Sequence, residues 1–165
     1  MDLKRIFRHL LMTRWRVRRA FSARVLSAIE SAIRESHRTH AGQVRFVVEG
    51  ALDSADLFDG LTARERSIDV FSQLRVWDTE HNNGILIYLM LADRDVEIVA
   101  DRGIDARVSG EEWEAICRMM EADFRRAQYE RGALRGIEQV SALLNTHFPT
   151  RTPPREDLPS FPVVM

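Results

Sequence analysis

The segment from Arg75 to Gly84, RVWDTEHNNG, is the chemically densest stretch of the chain. Arg75, Asp78, Glu80, His81, Asn82 and Asn83 stand there, and Asp101, Arg102 and Asp105 follow one apolar run later. Carboxylates can ligate a hard cation, and a guanidinium can hold a phosphoryl group through two parallel N–H bonds. Asp78 and Asp101 around calcium or magnesium, with Arg75 or Arg102 on phosphate, would thus make a weak divalent-metal-dependent phosphomonoesterase. Asn82 and Asn83 would complete the binding set. A plainer reading competes: Asp78 and Asn82 cap turns, and Arg102 pairs with a carboxylate.

The remaining chemical signals are thinner. His37 and His40 have a spacing that can bind zinc, but no HExxH accompanies them, and solvation at a helix end accounts for both. Asp53, Asp56 and Asp59 repeat every third residue without the EF-hand spacing, as a solvated turn would. There is no GxGxxG, GxxxxGK[ST] or GxSxG, so nucleotide-cradling and serine-hydrolase chemistry lack sequence support.

These residues must be held by a domain of modest size. The chain has 165 residues, 45% hydrophobic and 30% charged, enough to bury one core. A single cysteine, Cys117, excludes an intrachain disulfide and suits a reducing cytoplasm. No apolar run reaches the roughly 20 residues of a membrane span. Arg8 and His9 interrupt the only N-terminal run that could serve as a leader, so a cytoplasmic protein is expected.

Charge is divided unevenly. Lys4, Arg5, Arg8, Arg14, Arg16, Arg18, Arg19 and Arg24 face only Asp2 in the first 24 residues, a balance of +7 that leaves −8 for the rest. Leu3, Ile6, Phe7, Leu10, Leu11 and Trp15 recur at helical spacing among these cations, so residues 1–20 read as a basic amphipathic helix. Its apolar face would cover the domain, pair with a second copy or lie on an anionic membrane surface. Nucleic acid is disfavoured as a partner by the acidic body.

Residues 21–148 read as the domain proper. Phe21, Val25, Leu26, Ile29 and Ile33 predict a helix ending near Thr39, and QVRFVVEGAL predicts a strand. Thr62–Glu65 and Ser109–Glu112 are capping boxes opening two further helices, the first burying Ile68, Phe71 and Leu74. ILIYLMLA, apolar on both faces, predicts a central strand, and VEIVAD an antiparallel partner after a turn at Asp93–Asp95. A last helix buries Leu134, Ile137, Val140 and Leu144. Residues 149–165, rich in proline, are expected to be extended or disordered. The predicted fold class is a three-layer α/β/α sandwich with a small mixed sheet that includes an antiparallel hairpin.

The run NNGILIYLMLADRDVEIVADRGI, then Phe124–Arg125, Tyr129, Gly132 and Gly136–Ile137, resembles the TPM domain, a family named from thylakoid-lumen, photosystem-repair and neuronal membrane proteins. The likeness covers about Gln43 to Phe148. It implies an α/β/α sandwich. Some members are regarded as acid phosphatase-like, some bind calcium through aspartates, and others are accessory or assembly factors. Where the family commonly has a Leu-Thr-Asp-like segment, this chain has Val108–Glu111; where it has Gly-Asp, this chain has Ala127–Gln128. These positions lack the family's aspartates, with Glu111 the one possible substitute as a metal ligand. The expectation is therefore a non-catalytic interaction or accessory module, peripheral to the inner membrane face or bound to a protein partner, with a metal-dependent phosphatase as the alternative.

Overall fold

The computed structural model describes residues 3–150 and 158–165. Its elements in chain order are α1 (Leu3–Leu10), α2 (Arg14–Ala20), α3 (Ala23–Ser36), β1 (Gln43–Glu49), α4 (Ser54–Phe58), α5 (Ala63–Gln73), β2 (Gly84–Met90), β3 (Asp95–Ala100), α6 (Arg102–Asp105), α7 (Gly110–Arg125), α8 (Tyr129–His147) and β4 (Val163–Val164). The strands form one mixed sheet in the order β3-β2-β1-β4. The β1–β2 and β1–β4 pairs are parallel and the β2–β3 hairpin is antiparallel.

The central strand explains the layering. Ile85, Ile87 and Leu89 meet the core beneath α3, α7 and α8, while Leu86, Tyr88 and Met90 meet a second core that includes Ala63 and Val70 of α5. Every residue of β2 is buried, as a strand covered on both faces requires. Both predicted capping boxes form: the Thr62 hydroxyl accepts from Glu65 N–H, and the Ser109 hydroxyl from Glu112 N–H. Each satisfies backbone donors that a helix start leaves over.

Four local expectations change. The N-terminal helix is two helices, broken after Leu10 and restarted by the Thr13 cap. The acidic stretch after β1 contains the short α4, whose start is capped by Asp53 through Asp56 N–H at 3.0 Å. Ile68 of α5 is exposed, and Ala63, Ser67 and Val70 are the buried residues there. The fourth change is the tail.

Residues 158–165 lie along the outer edge of β1, where Met165 N–H donates to Val48 O at 2.9 Å and Gly50 N–H donates to Met165 O at 3.1 Å. Leu158 and Ser160 are buried. The buried Arg45 guanidinium donates to the carbonyls of Pro159 and Phe161 and lies 5.3 Å from the centre of the Phe161 ring. Prolines are tolerated here because this is an edge strand, which needs ladder bonds on one side only. Residues 151–157 of the proline-rich tail lie outside the described residues.

The other edge, β3, is blunted by side chains. Arg64 donates to Ile98 O at 2.8 Å, and Glu121 accepts from Val96 N–H at 3.4 Å. Such caps keep an open edge from pairing with another chain.

Candidate functional site

The antiparallel hairpin carries the end of β3 back to the start of β2, so the loop before β2 and the turn after β3 become neighbours. Asp101 N–H donates to Gly84 O at 2.8 Å, and Gly103 N–H donates to Asn82 O at 2.9 Å. A Cβ on Gly103 would stand 2.5 Å from Asn82 O and 2.7 Å from His81 O, so only glycine lets the two backbones approach this closely. Asn82 holds a left-handed backbone at φ 51°, and its side-chain oxygen accepts from Arg102 Nε and Nη2 at 3.4 and 3.3 Å.

Asp101, Arg102 and Asn82 are therefore brought together, and the other candidates are not part of that contact. Arg75 and Asp78 are exposed and joined by their own turn, Asp78 N–H to Arg75 O at 2.9 Å. Asn83 is buried and structural: its amide donates to Ala41 O at 3.1 Å and so ties the loop to the approach of β1. Glu111 is exposed in the first turn of α7.

Asp101 is the chemically informative member. One carboxylate oxygen caps α6 by accepting from Arg102 N–H at 2.8 Å, and the other is buried with no hydrogen-bond partner among the described residues. That bare oxygen could serve a cation. Calcium takes six to eight oxygen ligands, usually including several carboxylates, whereas magnesium keeps several waters and needs only one or two carboxylates. Among the described residues no three His, Cys, Asp or Glu side chains are gathered to hold a metal ion. Asp78, Asp101 and Glu111 do not form such a set, and Arg102 is engaged by Asn82.

A denser cluster lies at the opposite end of the hairpin. Asp93, in the β2–β3 turn, accepts from Arg5 Nε at 2.9 Å, Arg8 Nη2 at 3.2 Å and His9 Nε2 at 3.0 Å. The His9 ring is buried, and its Nδ1 accepts from Leu52 N–H at 3.1 Å. An imidazole that accepts at Nδ1 and donates at Nε2 has its tautomer fixed by these two partners. Burial alone would raise the Asp93 carboxyl, but the hydrogen bonds of His9 and Arg5, with the Arg5 charge, outweigh it and hold it below its ordinary value.

This clamp decides which face of α1 meets the body. Arg5, Arg8 and His9 share one face at helical spacing, and that polar face is the one turned onto the body. Leu3, Phe7, Leu10, Leu11 and Trp15 are left 45–71% exposed. Ile6 is the partly buried exception, packed against the second core. The spacing of Arg5, Arg8 and His9 was visible in the sequence, but nothing local showed that the carboxylate 84 residues after His9 would receive them.

Three further polar groups lie away from the hairpin ends. His37 and His40 are buried, not solvated at a helix end: His37 Nε2 accepts from Val44 N–H at 3.1 Å, and His40 Nδ1 donates to Gly42 O at 3.1 Å. Burial, with His37 beside it, lowers the His40 pKa to about 4. On the α5 face of the sheet, Glu49 accepts from Arg66 through both oxygens and from the Tyr88 hydroxyl at 2.7 Å. Cys117 faces the β3 edge, where burial and the neighbouring Glu97 push its thiol up to about 12, far from a reactive thiolate.

Comparison with known proteins agrees with this architecture. A family model described as the TPM domain matches residues 18–143. Among solved structures, the NMR structure of the BA42 protein from the psychrophilic bacterium Bizionia argentinensis is 28% identical over 87% of this chain and 94% of that one, with a TM-score of 0.74. Two N-terminal domains share the fold. One is from P. gingivalis, 21% identical over 77% of this chain and 78% of that one, TM-score 0.60. The other is from the cg2496 protein of Corynebacterium glutamicum, 16% identical over 74% and 73%, TM-score 0.53. No curated protein matches the chain. The chain belongs to the TPM domain family.

Proposed function

We propose that this TPM domain is a non-catalytic interaction module that seats itself on an anionic membrane surface through α1 and α2. The observation that carries the reading is the inverted packing of α1. A surface helix ordinarily buries its apolar stripe and presents its charges to water. Here Asp93 draws the charges inward, and Leu3, Phe7, Leu10, Leu11 and Trp15 form an outward stripe. Arg14, Arg16, Arg18 and Arg19 flank it on α2 and are exposed.

An apolar stripe edged by arginines is the pattern of a helix that lies in the lipid interface. Burying the stripe would contribute on the order of 5 kcal/mol by area, and each cation near an anionic surface about 1 kcal/mol more. Among the described residues no helix is long and apolar enough to cross a membrane, so the association envisaged is peripheral.

The test is co-sedimentation with anionic vesicles. Deleting the helices is unsuitable, because Val17 belongs to the main core and His9 holds Leu52. Phe7→Asp and Leu10→Asp change residues 64% and 69% exposed and leave the body intact. The full chain is expected to sediment with vesicles and the double variant to stay in solution. Absence of binding by the full chain, or unchanged binding by the variant, overturns the reading.

A further inference from the structure

A groove of about 730 Å³ runs between α2 and the β2–β3 turn. From its lining, we infer that it binds the headgroup of an anionic phospholipid bearing a phosphomonoester. This deepens the membrane reading and rests on it for the source of the ligand.

Four arginines from three separate segments line the groove: Arg8 on α1, Arg16 and Arg19 on α2, and Arg94 in the hairpin turn. Among the described residues Asp93 is the only acid in the lining, and Arg5, Arg8 and His9 already donate to it. The groove therefore carries an uncompensated positive charge. Arg94 holds a left-handed backbone at φ 54°, and Arg19 is stacked over the Trp15 ring at 5.3 Å. The Trp15 ring thus holds the Arg19 cation in place.

The rest of the lining is apolar or aromatic, including Met12, Leu91 and Tyr129. Charge and shape together select the ligand class. A phosphomonoester carries between one and two negative charges at neutral pH and offers three oxygens to guanidinium forks, whereas a phosphodiester offers one charge. Apolar walls beside the cations suit the glycerol and first acyl carbons of a lipid better than a free anion. Leu11 and Trp15 belong both to this groove and to the exposed stripe, so the groove opens beside the surface that would meet the bilayer.

The experiment uses the full chain and a soluble short-chain probe, dihexanoyl phosphatidic acid below its micelle concentration, followed by the Trp15 indole N–H signal in nitrogen-15 spectra. Arg16→Gln with Arg94→Gln removes two groove cations. Arg34→Gln with Arg38→Gln removes two exposed cations that neither line the groove nor flank the stripe, and so matches the change in net charge. We expect the probe to shift the Trp15 signal, with affinity at least tenfold weaker in the groove pair and within twofold of the parent in the control pair. With vesicles of equal surface charge, phosphatidate should be preferred over phosphatidylserine severalfold, and the groove pair should lose that preference.

Equal losses in the two pairs, or no shift of Trp15 by the probe, overturn the proposal even if vesicles bind. Competition by inorganic phosphate as effective as the short-chain lipid also overturns it, in favour of a free-phosphate ligand. Probe binding that persists while the full chain ignores vesicles keeps the groove and refutes the membrane reading instead.

Discussion

His40 should make the fold sensitive to mild acid. Its side chain is fully buried, Nδ1 donates to Gly42 O, and Nε2 has no hydrogen-bond partner among the described residues. Protonation would place a second N–H and a full charge where nothing accepts them, with the His37 ring centred 6.0 Å away. The pKa of about 4 in the fold lies below the ordinary 6.5, so the folded state binds the proton more weakly than the unfolded chain. The contribution is then fully present above pH 6.5 and lost as pH falls towards 4.

At about 1.4 kcal/mol per unit, the loss between pH 7 and pH 4.5 comes to about 2.5 kcal/mol. The assay is urea unfolding at both pH values for the parent and for His40→Phe, which fills the site with a ring that cannot titrate. The parent should lose about 2.5 kcal/mol more than the variant over this interval. Parallel pH profiles would refute the assignment of a buried, neutral His40.

Other expectations follow from the same contacts. Asp93→Asn leaves Arg5 and His9 without their carboxylate and should cost about 2–4 kcal/mol of local stability, read as faster amide exchange in α1 while β2 stays protected. Because the Asp93 carboxyl is held below its ordinary value, its support is full above about pH 4 and disappears as pH falls through the folded value. Gly103→Ala forces the 81–82 carbonyls away from α6 and should lower stability by about 1–3 kcal/mol in thermal unfolding. Asp95 is raised by burial and by Glu121 and Asp93, so its charged form disfavours folding; Asp95→Asn should stabilise the chain at pH 7, with the gain vanishing at pH 3 in the same assay.

How far the sequence disclosed this molecule depended on whether the deciding contact was local. The central strand was legible because ILIYLMLA has no polar face to offer water, and the helix starts because Thr62–Glu65 and Ser109–Glu112 complete their bonds within four residues. The meeting of Asn82 with Asp101 and Arg102 followed from hairpin topology alone. β4 was hidden because its prolines signal an irregular chain, and only the free edge of β1 makes a strand of Val163–Val164. Which face of α1 turns inward was hidden for a similar reason. Apolar spacing marks a stripe but not its partner, and here a carboxylate in a distant turn decided the matter.

A stripe that enters a lipid interface must carry Trp15 into it. Trp15, 64% exposed on that stripe, reports it most directly in a Trp77→Phe background, where the remaining tryptophan, Trp113, is buried in the core. Anionic vesicles with brominated acyl chains should shift Trp15 emission to the blue and quench it, and high salt should weaken the effect. Emission that stays unquenched and unshifted at saturating lipid would show that the stripe remains in water.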